Sequence, residues 1–164
     1  MNWKKGYHFA VLLVVILINA GCDQVSKALV RENIPEYDRQ HYFQGHLILT
    51  KVENSGAFLS MGDQLPEAAR YVFLLGLPLP LLVGSLWWLL RPSGLSRVGL
   101  LSLSCIIGGG LGNMLDRFLY GSVTDFLFIQ FGMLKTGIFN FADVSITAGV
   151  VCLFIDQAWR AYKR

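Results

Sequence analysis

Charge is scarce in this chain. Asp, Glu, Lys and Arg supply only 15% of its 164 residues, against about 25% in an average soluble domain. That density argues against a freely soluble globule. Histidine and cysteine are few as well. Cys22, Cys105 and Cys152 lie far apart in apolar runs and form neither a CxxC pair nor a disulfide framework. With three histidines and no HExxH there is no metal signature, and no cofactor is expected. No basic stripe with interleaved aromatics is present, so nucleic acid is set aside as a partner. Internal repeats and low-complexity tracts are also missing. The length suits one domain, 1–164, and not comfortably two. The net charge of +3 is small, so the placement of the charges matters more than their sum.

What the chain has is apolar sequence, 54% by composition. Four long runs stand out: Tyr7–Cys22, Tyr71–Leu90, Val98–Leu115 and Ile138–Ile155, the last interrupted only by Asp143. A bilayer core needs about 20 apolar residues as helix. The second run meets that length, and flanking residues can extend the others. Pro78 and Pro80 should kink the second span, which neighbouring helices can tolerate. Lys4 and Lys5, Arg91 and Arg97, and Arg160, Lys163 and Arg164 flank the runs on what is then one side. The positive-inside rule makes that side cytoplasmic and puts both termini there. Residues 23–70 and 116–137 then face outward.

The outward segments carry strand signals. His46–Val52 reads as a strand that could pair with Ala57–Met61 across Glu53-Asn54-Ser55-Gly56. Val123–Phe131, rich in aromatic and β-branched residues, reads as another. The expected class is an all-α membrane protein of four transmembrane helices with a small extracytoplasmic β-platform. The N-terminus carries a trap. Lys4-Lys5, an apolar run and Ala20-Gly21-Cys22 imitate a lipoprotein signal peptide. Asn19 stands where such sites usually carry Leu, and three further spans follow, so an uncleaved first span is expected.

Ionisable and amide side chains in or beside spans default to functional hypotheses. Here they form five clusters, each with a plainer structural reading. Asp23 and Lys27 are four apart, acid first, and can pair along a helix face; the plainer reading is an interfacial salt bridge with a snorkelling lysine. Asn54-Ser55-Gly56 has ordinary turn residues. Gly108–Gly112 lets helices approach closely in lipid, while Asn113, Asp116 and Arg117 share a face through their i, i+3 and i+4 spacing. Asp116 and Arg117 could be a structural ion pair. Asp125 interrupts a strand-like stretch, where a charge could simply protect a sheet edge. Asn140 and Asp143 share a face at the start of the fourth span, where an acid can serve the helix dipole; Asp143, however, lies inside the apolar run and not before it. The charge rule places all five clusters on one side, the outer one, whereas unrelated polar residues would divide between the two faces.

Asp23-x-x-Ser-Lys27, Asn54-x-Gly56-Ala-Phe58, Gly-Asn113-x-x-Asp116-Arg117, Val-x-Asp125-Phe and Phe-Asn140-x-Ala-Asp143 resemble, in order and spacing, the motifs of the lipoprotein signal peptidase (signal peptidase II) family. The resemblance runs from about Asp23 to Ile155. It implies four spans with cytoplasmic ends in the bacterial inner membrane and a site on the outer side. The implied activity is cleavage of lipid-modified prolipoproteins just before the diacylglyceryl cysteine. The resemblance maps the catalytic pair onto Asp125 and Asp143. It maps supporting positions onto Asp23, Lys27, Asn54, Gly56, Asn113, Asp116, Arg117 and Asn140. It also implies membrane lipids as neighbours and globomycin-type inhibitors as ligands. Cys22 departs from the pattern, since an aliphatic residue is more usual before the aspartate.

Two carboxyls sharing one proton can hydrolyse a peptide without a metal: the charged one takes a proton from water while the neutral one polarises the carbonyl. Ser26 and Lys27 point apart on a helix and no histidine lies near the clusters, so nucleophilic routes fit worse. The rival class is a small proton- or cation-coupled transporter subunit, but such sites usually lie near mid-membrane. A different intramembrane aspartyl protease would carry Gly-x-Gly-Asp, which is absent.

Overall fold

The computed structural model describes residues 3–56, 66, 69, 72–91 and 94–163, with side chains described from residue 9 onward. The elements are α1 (Trp3–Asn33), β1 (Arg39–Tyr42), β2 (Leu47–Asn54), a π-turn (Val72–Gly76) leading to α2 (Pro78–Leu90), α3 (Arg97–Tyr120), β3 (Val123–Phe131), β4 (Leu134–Lys135) and α4 (Phe141–Tyr162). Among the described residues, four helical segments are long and apolar enough to cross a membrane: Phe9–Asn33, Val72–Leu90, Arg97–Tyr120 and Phe141–Tyr162. Their outer faces carry large exposed apolar groups such as Leu17, Leu81 and Phe154, which lipid would cover.

The helix bounds differ instructively from the apolar runs. The 31 residues of α1 span roughly 46 Å at 1.5 Å per residue, against a hydrocarbon core of about 30 Å. Helix continues past Cys22 because Asp23 and Lys27 find partners on α3. Asp23–Asn33 is therefore a helical extension and not the start of a loop. In the second span the prolines mark the helix start. Pro78 occupies the first turn of α2, where a missing N–H leaves nothing unsatisfied, and the preceding turn widens so that Leu77 N–H reaches Val72 O at 3.0 Å. The fourth run opens with extended chain: Phe139 pairs with Leu127 of β3, and helix begins only at Phe141.

Leu12 and Ile16 of α1 pack with Leu89 of α2 and with Leu103 and Ile107 of α3. Small residues bring α3 close to α1 and α4. A methyl group on Gly112 would overlap the Asp23 carboxylate, and one on Gly109 would lie 2.5 Å from Ala142 O.

The four strands form an antiparallel sheet in the order β1-β2-β3-β4. The partners of β2 are β1 and β3; the expected partner, Ala57–Met61, lies outside the described residues. β1 had no clear signal, because Arg39-Gln-His-Tyr42 is polar and short. On one side β3 pairs with β2, and on the other with β4 and with Phe139, so Asp125 is not an edge-strand charge. The register pairs Asn54 with Val123, Glu53 with Thr124 and Val52 with Asp125, then shifts before Leu49 meets Leu127. Val30 of the α1 extension and Ile34 just beyond it pack on Phe126 and so tie the sheet to the bundle.

Gly112→Ala should overpack the α1–α3 contact and destabilise the protein by about 1–3 kcal/mol. Thermal unfolding in detergent checks this. An unchanged transition would mean that α1 and α3 can separate without loss.

Candidate active site

Lys27 lies at the centre of the polar network. Its side chain is 0% exposed, and an ammonium group has three hydrogens to place. They meet Asp23 Oδ2 at 2.7 Å, Asp116 Oδ2 at 3.1 Å and Asn113 Oδ1 at 2.8 Å. Asp23 Oδ1 accepts the Ala142 N–H at 2.9 Å, so one carboxylate joins α1 to the first turn of α4. Asp116 also forms an ion pair with Arg31 Nη2 at 2.9 Å and accepts from Gln24 Nε2 at 2.9 Å and the Thr124 N–H at 3.2 Å. Two carboxylates are thus balanced by Lys27 and Arg31. Unbalanced buried charges would be strongly disfavoured.

Three asparagines connect this network to Asp125 and Asp143. Each has its amide orientation set by a neighbour that can only donate. Lys27 occupies Asn113 Oδ1, so Asn113 Nδ2 faces Asp143 Oδ1 at 2.9 Å. The Asp143 N–H occupies Asn140 Oδ1, so Asn140 Nδ2 faces Asp125 Oδ1 at 2.7 Å and Asn113 Oδ1 at 3.1 Å. The Gly56 N–H occupies Asn54 Oδ1, so Asn54 Nδ2 faces Asp125 Oδ2 at 2.8 Å. The Asn140 N–H donates to Asp143 Oδ2 at 3.2 Å and completes a capping box on α4. Asp143 therefore caps its helix and also faces the cavity. The two roles do not compete, because its run begins with extended residues.

Asp125, Asp143, Asn54, Asn113 and Arg117 line one cavity of about 370 Å³, closed on its apolar side by Phe73, Leu74, Leu77, Pro78 and Ile146. A second, apolar hollow of about 480 Å³ shares Asp143, Ile138 and Thr147 with it. Burial pushes the Asp125 carboxyl up to about 6; the hydrogen bond from Asn54 opposes the rise and the charge of Asp143 adds to it. Among the described residues no three His, Cys, Asp or Glu side chains converge as a metal-ligand group.

The residues singled out in the sequence thus meet in one bonded network. One expected pairing is corrected. Arg117 does not hold Asp116, which belongs to Lys27 and Arg31. Arg117 Nη2 reaches Gly56 O at 3.1 Å instead, and its buried Nε has no hydrogen-bond partner among the described residues. Neighbouring helix positions point Asp116 toward α1 and Arg117 toward the cavity. Sequence reading missed Gln24, Arg31, Glu53 and Thr124. Arg31 had a signal, since it lies four residues beyond Lys27 on the same helix face, but only if helix is carried past Cys22. Asn19, which accepts from Ser145 Oγ at 2.6 Å, also joins α1 to α4.

Fold and site together define an integral-membrane protein with a carboxylate-lined cavity where its helical bundle meets its sheet. Residues 13–159 match the family model described as Signal peptidase (SPase) II, and the chain belongs to that family, whose members are membrane proteases. It is similar to the lipoprotein signal peptidase of Burkholderia vietnamiensis (strain G4 / LMG 22486), 37% identical over 92% of this chain and 86% of that one. It is also similar to that of Streptococcus pneumoniae (strain ATCC BAA-255 / R6), 33% identical over 89% and 91%. Its fold resembles two bacterial membrane enzymes solved by the in meso method at 2.3 and 1.9 Å. Their TM-scores are 0.84 and 0.76, each at 22% identity, with 94% and 89% of this chain covered and 92% and 91% of theirs.

Lys27→Met should leave the Asp23 and Asp116 carboxylates short of a counter-charge and destabilise the protein by about 3–5 kcal/mol. Lys27→Arg should rescue it poorly, because a planar fork does not match three acceptors around one nitrogen. Unfolding curves for the two variants test this; near-native stability of Lys27→Met would remove Lys27 from its central place.

Proposed function

We propose that this chain is an aspartic endopeptidase that removes signal peptides from diacylglyceryl-modified prolipoproteins, cutting just before the lipidated cysteine. The whole of 1–164 acts as one membrane domain. It lies in the bacterial inner membrane with both termini cytoplasmic and the site on the outer side. The observation that carries the reading is the pair Asp125 and Asp143. They come from a strand and a helix, line one cavity, and have their oxygens held by oriented N–H donors.

In the proposed reaction Asp125, buried on the sheet, carries the shared proton. Asp143, at a helix N-terminus that favours an anion, takes a proton from water. The resulting hydroxide adds to the scissile carbonyl, whose oxygen accepts the Asp125 hydrogen bond. The proton on Asp143 then passes to the leaving amine as the C–N bond breaks, so protons balance over the cycle. Arg117 lines the cavity, and its Nε, without a partner among the described residues, is a candidate donor to a substrate carbonyl. The cavity's apolar wall and the hollow beside Asp143 suit a substrate with an apolar signal segment and acyl chains; lipids and globomycin-type inhibitors would meet the same surfaces. Asp23, Lys27, Asn54, Gly56, Asn113, Asp116 and Asn140 support the pair. A small proton- or cation-coupled transporter fits worse, since the network lies at one end of the bundle.

Asp125→Asn and Asp143→Asn should each abolish cleavage of a lipidated prolipoprotein in detergent. The double variant should be no worse than either, because the acids act as a unit. Turnover by either folded single variant would refute the assignment.

Activity should also fall as pH rises through about 6, as Asp125 loses its proton, with the apparent constant belonging to the pair. A rate that holds level from pH 5 to 8 would exclude a neutral Asp125. For sidedness, a cysteine at Gln40 or Gln44 should react with an impermeant reagent in intact cells, whereas one in the 91–97 link should not. The opposite pattern would invert the topology.

A further inference from the structure

The ladder between β2 and β3 is irregular just beyond Asp125. Between Leu49↔Leu127 and Val52↔Asp125, β2 uses two residues, Thr50 and Lys51, where β3 uses only Phe126. This is a bulge, which bends a strand and re-aims the side chains beside it. Lys51 O turns away to accept from Tyr37 N–H at 3.0 Å. Asn54 and Asn140 hold the Asp125 carboxyl oxygens from the cavity side; the backbone beside the bulge needs a further hold.

The neighbouring residue supplies it. Thr124 lies on the opposite face of the pleat from Asp125, facing the α1 extension, and is 0% exposed. The direction of its hydroxyl is unambiguous. It accepts from Arg31 Nε, a pure donor, at 2.8 Å and donates to Glu53 Oε1, an acceptor, at 2.8 Å. Glu53 Oε2 is fixed in turn by Ser122 Oγ at 2.6 Å. Arg31 is fixed by Asp116 at 2.9 Å and lies 4.0 Å over the Tyr120 ring. The Thr124 N–H also donates to Asp116. Helix α1, helix α3 and strand β2 thus all grip one residue, the one preceding Asp125. Glu53 likewise precedes Asn54, which donates to Asp125, so a shift at the Thr124–Glu53 bond would move both the acid and its donor.

We propose that Thr124, clamped between Arg31 and Glu53, is a positioning residue that sets the placement of the Asp125 carboxyl in the cavity. The inference rests on Asp125 being a reacting acid. The clamp acts from behind the sheet and touches no substrate, so its loss should lower turnover with little effect on substrate affinity.

The test uses full-length protein in detergent with a lipidated prolipoprotein, rates being normalised to folded protein. Thr124→Val keeps the branched shape and loses the hydroxyl. It should lower kcat about 10- to 100-fold, the scale of a misplacement near 1 Å, with KM within about twofold. The descending limb of activity against pH should shift, because a displaced Asp125 changes its burial and its contacts with Asn54 and Asn140. Thr124→Ser, which restores the hydroxyl, should recover most of kcat. Glu53→Ala, available if Thr124→Val folds poorly, should lower kcat in the same way. The double variant should lose less than the product of the two single losses, since the Thr124–Glu53 bond is common to both. Three results would each overturn the proposal: kcat per folded molecule within about twofold of the parent for Thr124→Val or Glu53→Ala, an unmoved pH limb, or Thr124→Ser as impaired as Thr124→Val. Asp125→Asn is measured alongside. If it turns over substrate, the dyad reading fails; if it is inactive while Thr124→Val is fully active, only the clamp fails.

Discussion

The Lys27 ammonium organises the end of the bundle where it meets the sheet. Its three hydrogens meet acceptors on α1 and α3, and through Asp23 it reaches the first turn of α4. A charged nitrogen so enclosed is stable only while every hydrogen is used and its counter-charges stay in place. The demand is mutual. Asp116 needs Lys27 and Arg31, Arg31 needs the helix to continue beyond the apolar run, and that extension in turn gives Val30 and Ile34 a sheet to pack on. Gly112 follows from the same constraint, because a side chain there would occupy the space of the Asp23 carboxylate.

Polarity is passed outward from that centre. An asparagine amide has a donor end and an acceptor end, and a neighbour that can only donate decides which is which. Lys27, the Asp143 N–H and the Gly56 N–H make that decision for Asn113, Asn140 and Asn54, and all three then aim N–H groups at Asp125 or Asp143. Amides suit this work: they orient carboxyls by hydrogen bonding without adding charge. Asp125 can therefore remain high in proton affinity, pushed up to about 6 by burial, while still being firmly held.

The cavity stands where two kinds of element meet. β3 delivers Asp125 and α4 delivers Asp143, with the extended segment at Phe139 and Asn140 joining them. That short extended piece explains why an aspartate written inside an apolar run stands at the head of a helix. Hydrophobicity alone does not distinguish the two, because Ile138 and Phe139 are apolar whether they begin a span or pair with a strand.

The four apolar helices were legible in the sequence, because the length and composition that lipid demands of a span are local properties. So was β3, whose aromatic and β-branched content coincides with Val123–Phe131. The Asp23–Lys27 pair was legible too, since i, i+4 spacing decides it within one helix. The partners of Asp116, the exchange of Arg117 for Arg31, the pairing of β2 with β1 and the clamp on Thr124 were not. Each joins residues far apart in the chain, and spacing along one element says nothing about which other element will face it. Sequence by itself determined which groups are too polar for their surroundings; only the tertiary structure decided which of them meet, because buried donors and acceptors must be matched across several elements at once.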